Sequence, residues 1–318
     1  MTTLTPEKVR RYIAEGNKNE HFRKLSEEQK RQFVEHVLQA DYLDLRCDWA
    51  FKRVLKDPAL LIILLNDFLP ERIKAIRTVD TEPERLNRDE KTVLMDIVAV
   101  AEDGREIVIE MQRFKKTDFK ARMFYYGASM VRSQLKKGMA YGTMKPVYVI
   151  SFMDFMLKHL TSQLVYRYQM MEIQSKEIYG PWLSIYLCEL PRLQKESMSE
   201  MDYVEGWFHI FRESINFVGK PDGMDAHFET VIEAASIRKL PEEQKMDYFK
   251  AMVSDDERLE YGQDRYEEGK AEGKAEGKAE GKAEERAENV KALLRAGFEA
   301  GTIANALGLT PEEIEKLA

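Results

Sequence analysis

The spacing of apolar positions changes several times along the chain, and each change marks an element. Residues 5–40 place Val9, Ile13, Phe33, Val37 and Leu38 at helical intervals among many charges. Two helices are expected there, opening at Thr5-Pro6 and at Ser26-Glu27-Glu28-Gln29, the second with capping-box form. Residues 41–69 predict two more. The first carries Asp48 and Lys52 four apart on one face, beside Trp49, Phe51 and Val54. The second, about 59–68, is apolar enough to be buried and stops at Pro70. Residues 73–79 alternate, which predicts a strand, and 80–92 read as a loop.

Residues 93–112 are the centre of the pattern: VLMDIVAV, then AEDGREIV, then IEMQ. They read as two strands joined by a tight turn. Asp96 interrupts the first apolar run and Glu110 the second. A carboxylate inside an apolar strand is costly unless it is paired or holds a cation. Glu102-Asp103-Gly104 suits a three-residue hairpin loop with a left-handed glycine. Ala101 then faces Arg105, and Asp96 falls opposite Glu110, with Cβ atoms roughly 5 Å apart. Gln112, two residues on, shares that face. A two-residue turn would instead split the acids between faces. Two carboxylates that close repel, and one pKa is driven up. Hard oxygen ligands of this kind suit Mg²⁺ or Mn²⁺. A structural alternative pairs the acids with Lys91 and Arg105.

From 117 to 137 the spacing is helical again (Phe119, Met123, Tyr126, Met130, Leu135), with Gly138 expected to close the helix. Residues 146–152 form a continuous apolar strand. Strand, hairpin, helix and strand make an α/β unit closed by a helical crossover. Residues 154–180 show only weak periodicity, and 183–190 are read as an edge strand. Three helices are expected over 198–254. Residues 268–284 repeat EGKA. This is a marginal helix or tether, because a glycine every fourth residue costs about 1 kcal/mol each. Residues 287–318 suggest three short helices, near 287–296, 300–306 and 311–317. They resemble a helix-turn-helix, but four Glu against one Lys over 298–318 favour a packing or dimerisation piece. The expected organisation is 1–40 N-terminal helices, 41–195 core, 196–255 helical subdomain, 256–286 tether and 287–318 C-terminal unit. A homo-oligomer would form through the last of these.

The net charge of -7 over 318 residues argues against a nucleic-acid partner until its distribution is considered. Residues 113–145 carry nine Lys/Arg and one acid, a local +8 that begins immediately after the acid pair and leaves -15 elsewhere. A positive field beside a metal site is what a phosphodiester needs. The two cysteines are far apart, which suits a reducing cytoplasm. Neither a signal peptide nor a membrane-length apolar run is visible. The five histidines form no ligand motif, and no glycine-rich phosphate loop is present.

The ordered segments CDWAFKRVL, LLNDFLP, LMDIVAVAEDGREIVIEMQ, ARMFYYGASMVRSQLKKGMAY and PVYVIS resemble the PD-(D/E)XK nuclease family transposases, relatives of the recombination-promoting nucleases. The resemblance runs from about Tyr42 to Phe155. It implies a restriction-endonuclease-like αβββαβ core with a mixed sheet, followed by helices and a tail. It also implies a Mg²⁺-dependent (or Mn²⁺-dependent) phosphodiesterase acting on DNA, associated with recombination and mobile elements. Asp96 then stands as the metal-binding aspartate and Glu110 as the glutamate of the E-x-K/Q element. Gln112 occupies the place of the usual lysine. Asp48 and Lys52 match a D-x-x-F-K motif, which aims Asp48 at the site. The metal would be held by Asp96, Glu110 and the Met111 carbonyl, with Gln112 orienting a water. Lys52, Lys115, Lys116, Lys120, Arg122 and Tyr126 would meet the DNA backbone. The alternative is a catalytically degenerate nuclease fold serving as a DNA-binding or oligomeric module.

Overall fold

The computed structural model describes residues 4–80, 95–115, 118–159 and 161–255, and positions 290, 291, 293, 294, 299, 301, 303 and 314. The chain divides into two units, Met1–Leu259 and Glu260–Ala318.

The first unit opens with three helices, α1 (Pro6–Gly16), α2 (Glu20–Lys24) and α3 (Glu27–Gln39), where two were expected. Thr5 caps α1 and the Ser26–Gln29 capping box starts α3, as the sequence predicts. The extra turn, α2, starts because the Asn19 side chain accepts from the Phe22 N–H. Next come α4 (Asp48–Leu55) and α5 (Pro58–Phe68), the latter capped by Asp57 and begun by Pro58.

The sheet has six strands in the order β1-β2-β3-β4-β6-β5. Strands β1 (Ile76–Asp80), β2 (Ile97–Ala101) and β3 (Glu106–Gln112) form an antiparallel meander. Helix α6 (Phe119–Ser133) carries the chain over to β4 (Val147–Met153), parallel to β3. This is the αβββαβ core that the resemblance implies. Strand β5 (Val165–Gln169) then pairs antiparallel with β6 (Leu183–Glu189), and β6 lies parallel to β4. Helices α7 (Tyr203–Glu213) and α8 (Glu229–Ala234) and a further helix over 242–255 complete the unit.

One face of the sheet buries Ile97, Ala99, Ile107, Ile109, Ile150, Phe152 and Cys188 against α3, α4, α5, α7 and the 242–255 helix. The other face packs Val108, Val149, Met153 and Leu187 against Phe119, Met123 and Tyr126 of α6. The two faces alternate residue by residue along β3, so Glu110 and Gln112 point to the α6 side. Gly127 lets α6 settle on the sheet: a Cβ there would collide with the Leu183 side chain.

Five expectations shift. The first strand begins at Ile76, not 73, because side chains hold the preceding backbone. Asn66 accepts from the Ile73 N–H at 2.7 Å, and Glu102 accepts from the N–H groups of Lys74 and Ala75 at 3.0 and 3.2 Å. Helix α6 ends at Ser133, not at Gly138. The Gln134 side chain accepts from the Lys145 N–H at 2.7 Å and donates to the Lys145 carbonyl at 3.1 Å, drawing the chain off the helix axis. Gly138, at φ +91°, serves a later turn. Residues 154–180 conceal β5, whose half-exposed VYRYQ gives no clear period. Strand β5 takes the sheet edge, so β6 is internal. The first strand of the central hairpin is also shorter than its apolar run, with Asp96 one residue ahead of it.

In the second unit Val290, Ile303 and Ile314 are buried together, with Leu293 and Leu294 beside them. Among the described positions, 290, 291, 293, 294, 301, 303 and 314 are helical. The EGKA repeat, the 80–92 loop beyond Asp80 and Lys91 lie outside the described residues.

The hairpin loop depends on Gly104, at φ +91°, where an added Cβ would also lie 3.2 Å from Lys145 Cγ. Gly104→Ala is expected to lower the free energy of unfolding by roughly 1–2 kcal/mol, measured by urea denaturation. Unchanged stability would mean that this turn does not set the register.

Candidate active site

The loop closes as its length predicts: the Ala101 N–H donates to the Arg105 carbonyl at 2.9 Å, and the Gly104 N–H to the Ala101 carbonyl at 3.0 Å. The ladder then runs Ala99↔Ile107, Val98↔Val108 and Ile97↔Ile109. Continued by one residue, it sets Asp96 level with Glu110. Backbone pairing stops there and the two side chains take over. The Asp96 N–H donates to Glu110 Oε1 at 3.1 Å, and the Met111 N–H donates to Asp96 Oδ2 at 2.8 Å. Each acid therefore caps the strand that carries the other.

On the α6 face, Gln112 Nε2 donates to Glu110 Oε2 at 2.8 Å. Arg122, one turn into α6, donates from its guanidinium to Gln112 Oε1. From α4, Lys52 Nζ sits 2.8 Å from Asp48 Oδ1 and 3.5 Å from Asp96 Oδ1. Asp48 and Lys52 thus form an i,i+4 ion pair and also face the hairpin. Exposure rises in order: Glu110 1%, the Asp96 side chain 16%, the Asp48 side chain 48%. The site opens on the α4 side, and Glu110 forms its floor.

Burial pushes the Asp96 carboxyl up to about 6, helped by the charge of Asp48 and opposed by Lys52 and the Met111 N–H. Burial also lifts Glu110 well above the ordinary range. The charge of Asp96 adds to this, and the Asp96 N–H, Arg122 and Lys52 pull the other way. Tyr126, buried beside them, is pushed up to about 12 by burial and then by Glu110. These directions are what two neighbouring carboxylates removed from water produce.

The donors fit a hard divalent cation, since all are oxygens. The Gln112 carbonyl accepts from the Asp154 N–H at 2.9 Å on the β4 side. Successive strand carbonyls alternate, so that of Met111 points the other way, past the end of β2 and beside Asp96. No three Asp, Glu, His or Cys side chains gather as a metal cluster among the described residues. The candidate set is therefore two carboxylates and a carbonyl, with Lys52 as the neighbouring cation.

The basic segment divides. Lys115 and Lys120 are exposed, and Lys120 Nζ lies 5.7 Å from the Tyr168 ring. Lys116 lies outside the described residues. Arg122 is half-buried between the rings of Phe119 and Tyr126, and Tyr126 is buried. Arg113 turns inward, 3.3 Å from Asp255 and 3.6 Å from Asp44, so its charge is not presented to a phosphate. Asp44 also holds Arg46, which reaches Asp154 at 3.3 Å. No spacing in the sequence signals this network. Arg105 does not serve the acids either: it binds Asp103 at 2.6 Å and the carbonyls of Glu71 and Arg72, at the far end of the hairpin. His159 lies 2.7 Å from the buried Glu189.

The family described as PD-(D/E)XK nuclease family transposase matches residues 45–261, more than half of the chain. The chain belongs to that family. The match covers α4, the hairpin and α6, and it extends past the quoted motifs through the helices up to 255. Membership supports a nuclease-like, transposase-associated function, in a family that typically uses divalent metals. No curated protein and no solved structure matches the chain. Among the described residues no helix is long and apolar enough to cross a membrane.

The raised carboxyls make a pH prediction for the metal-free protein. A carboxyl whose pKa is higher when folded binds more protons in the folded state, so stability falls as pH rises through that window. For Asp96 the window runs from its ordinary value of 3.8 to about 6. Tm is expected to fall between pH 4 and 7 relative to Asp96→Asn, which removes the titrating group. Parallel Tm profiles for the two proteins would contradict the raised pKa.

Proposed function

We propose that the protein is a DNA endonuclease that depends on a divalent metal, Mg²⁺ or Mn²⁺, and hydrolyses phosphodiester bonds. The observation that carries this reading is the interlocked pair Asp96 and Glu110 at the open end of the hairpin, with the Met111 carbonyl beside them. Those three groups would hold the metal. When bound, it would polarise the phosphate and lower the pKa of a water.

The chain's own residues supply the rest. Gln112, fixed on Glu110, orients the attacking water through its amide. Lys52 carries the cation nearest the acids on the open side and faces an incoming phosphate. Lys115, Lys116 and Lys120 grip the backbone without reading sequence. Asp48, exposed and 2.8 Å from Lys52, holds that lysine at the opening. In the reaction a water oxygen bonds to phosphorus and gives up a proton, one bridging P–O bond breaks, and the leaving oxygen takes a proton. Self-association would use the C-terminal unit. The unpaired, buried Cys47 and Cys188 suit a reducing compartment such as the cytoplasm.

A second reading keeps the fold as a non-catalytic DNA-binding or oligomeric module. It is favoured by the neutral Gln112 and by Lys52 already balancing Asp48 and Asp96.

Asp96→Ala and Glu110→Ala are expected to lower cleavage of supercoiled plasmid in Mg²⁺ by roughly 10²-fold or more while keeping the far-UV spectrum. Equal cleavage by all three proteins would overturn the proposal. Calorimetric Mg²⁺ or Mn²⁺ binding by the wild type without any cleavage would select the module.

A further inference from the structure

We propose that Arg122 is the positioning residue of this site: it fixes the Gln112 amide and supplies the positive charge that Gln112 itself lacks. The proposal rests on the nuclease reading and assigns a source for the charge that reading needs.

A phosphate undergoing attack gains negative charge, and a neutral amide beside it offers only a weak dipole. The cation closest to the acids on the open side is Lys52, tied to Asp48 and Asp96. On the α6 face the corresponding cation is Arg122, one hydrogen bond behind Gln112. Its guanidinium donates to Gln112 Oε1, and Gln112 Nε2 donates to Glu110 Oε2 at 2.8 Å. The chain of donors runs one way, from guanidinium to amide to carboxylate. The direction matters, because an amide rotated by 180° would set its NH₂ against the guanidinium and its oxygen against Glu110. Arg122 therefore decides which end of Gln112 faces the acids.

The remaining contacts of Arg122 leave its charge without a direct ion pair. Among the described residues no carboxylate lies within ion-pair distance of it, and its Nε is buried without a partner. The rings of Phe119 and Tyr126, 5.7 and 5.9 Å away, flank the guanidinium without neutralising it. A purely structural arginine at this depth would direct its fork at a carboxylate. This one reaches Glu110 by hydrogen bonds through Gln112, and its charge acts on that acid from behind the amide.

The test compares wild type, Arg122→Ala, Arg122→Lys, Gln112→Lys and the double variant Gln112→Lys/Arg122→Ala. In the metal-free protein, the Gln112 side-chain NH₂ signals are expected to be dispersed in a ¹⁵N–¹H spectrum. They should move to the averaged amide region in Arg122→Ala. In Mg²⁺, Arg122→Ala should lower kcat for plasmid cleavage by about tenfold or more with little change in KM. Arg122→Lys should recover part of the loss. In the Gln112→Lys background, where position 112 carries its own charge, removing Arg122 should cost no more than about threefold. Full activity of Arg122→Ala, or an equal loss in both backgrounds, overturns the proposal. An inactive wild type would sink the nuclease reading alone. The amide signals would then decide: dispersed and dependent on Arg122 supports the positioning role, and averaged in the wild type overturns it.

Discussion

The site follows from one constraint: a three-residue loop fixes the parity of the hairpin. With Ala101 facing Arg105, every later pair is determined, and Asp96 arrives level with Glu110. A single residue more or less in the loop would send one acid to the opposite face. Bringing the pair together is unfavourable in itself, because both carboxyls leave water and repel. The fold tolerates it by giving each acid a backbone N–H from the other's strand, at 3.1 and 2.8 Å. Those two bonds stand where ladder bonds would otherwise continue. What should be a weak, fraying strand end is held shut by the groups that destabilise it, and burial raises the pKa of both.

The surroundings hold that strand end still. Strands β3, β4 and β6 run parallel, so their carboxyl ends lie at one end of the sheet. Just beyond them sit Arg113 and Asp154, and these join Asp44, Arg46 and Asp255 in a buried ion network. Asp44 precedes α4, and Asp255 closes the last described helix of the first unit. Segments distant in sequence are therefore tied to the residue immediately after Gln112. A buried network of this kind contributes little net stability, but losing one member leaves an uncompensated charge. Its effect is to fix geometry, with α4, and thus Asp48 and Lys52, held over the hairpin.

The readability of the sequence follows the range of each interaction. The hairpin register, the crossover helix, the buried β4 and the caps at Thr5 and Ser26 rest on near neighbours, and each was legible. Strand β5 was not, because VYRYQ at a sheet edge is half-exposed and its period is blurred. Gly138 misled because a positive φ marks many turns, and here the Gln134 amide had already ended α6. Within the site, the pairing of Asp96 with Glu110 was visible from the loop, and the second role of Lys52 was visible only through a family motif. The inward turn of Arg113 was invisible, since its partner Asp255 is 142 residues away. A basic residue in a run of basic residues carries no sign of which way it points.

That last point changes the electrostatic picture. The +8 segment reads as one field directed at a phosphodiester, but the fold distributes it among three tasks. Arg113 anchors helices, Arg122 addresses Gln112, and Lys115, Lys120, Arg132, Lys136, Lys137 and Lys145 are exposed, the last beside Gly104 at the turn end of the hairpin. Lys145 thus lies at the opposite end of the hairpin from the acids, and the chain as a whole is acidic. At the acids themselves the two carboxylates oppose a polyanion. A divalent cation at Asp96 and Glu110 would reverse the sign of the potential where the phosphate must sit. On this reading metal and substrate sites are coupled: the repulsion that makes the acid pair unfavourable by itself would also make phosphate binding depend on the ion.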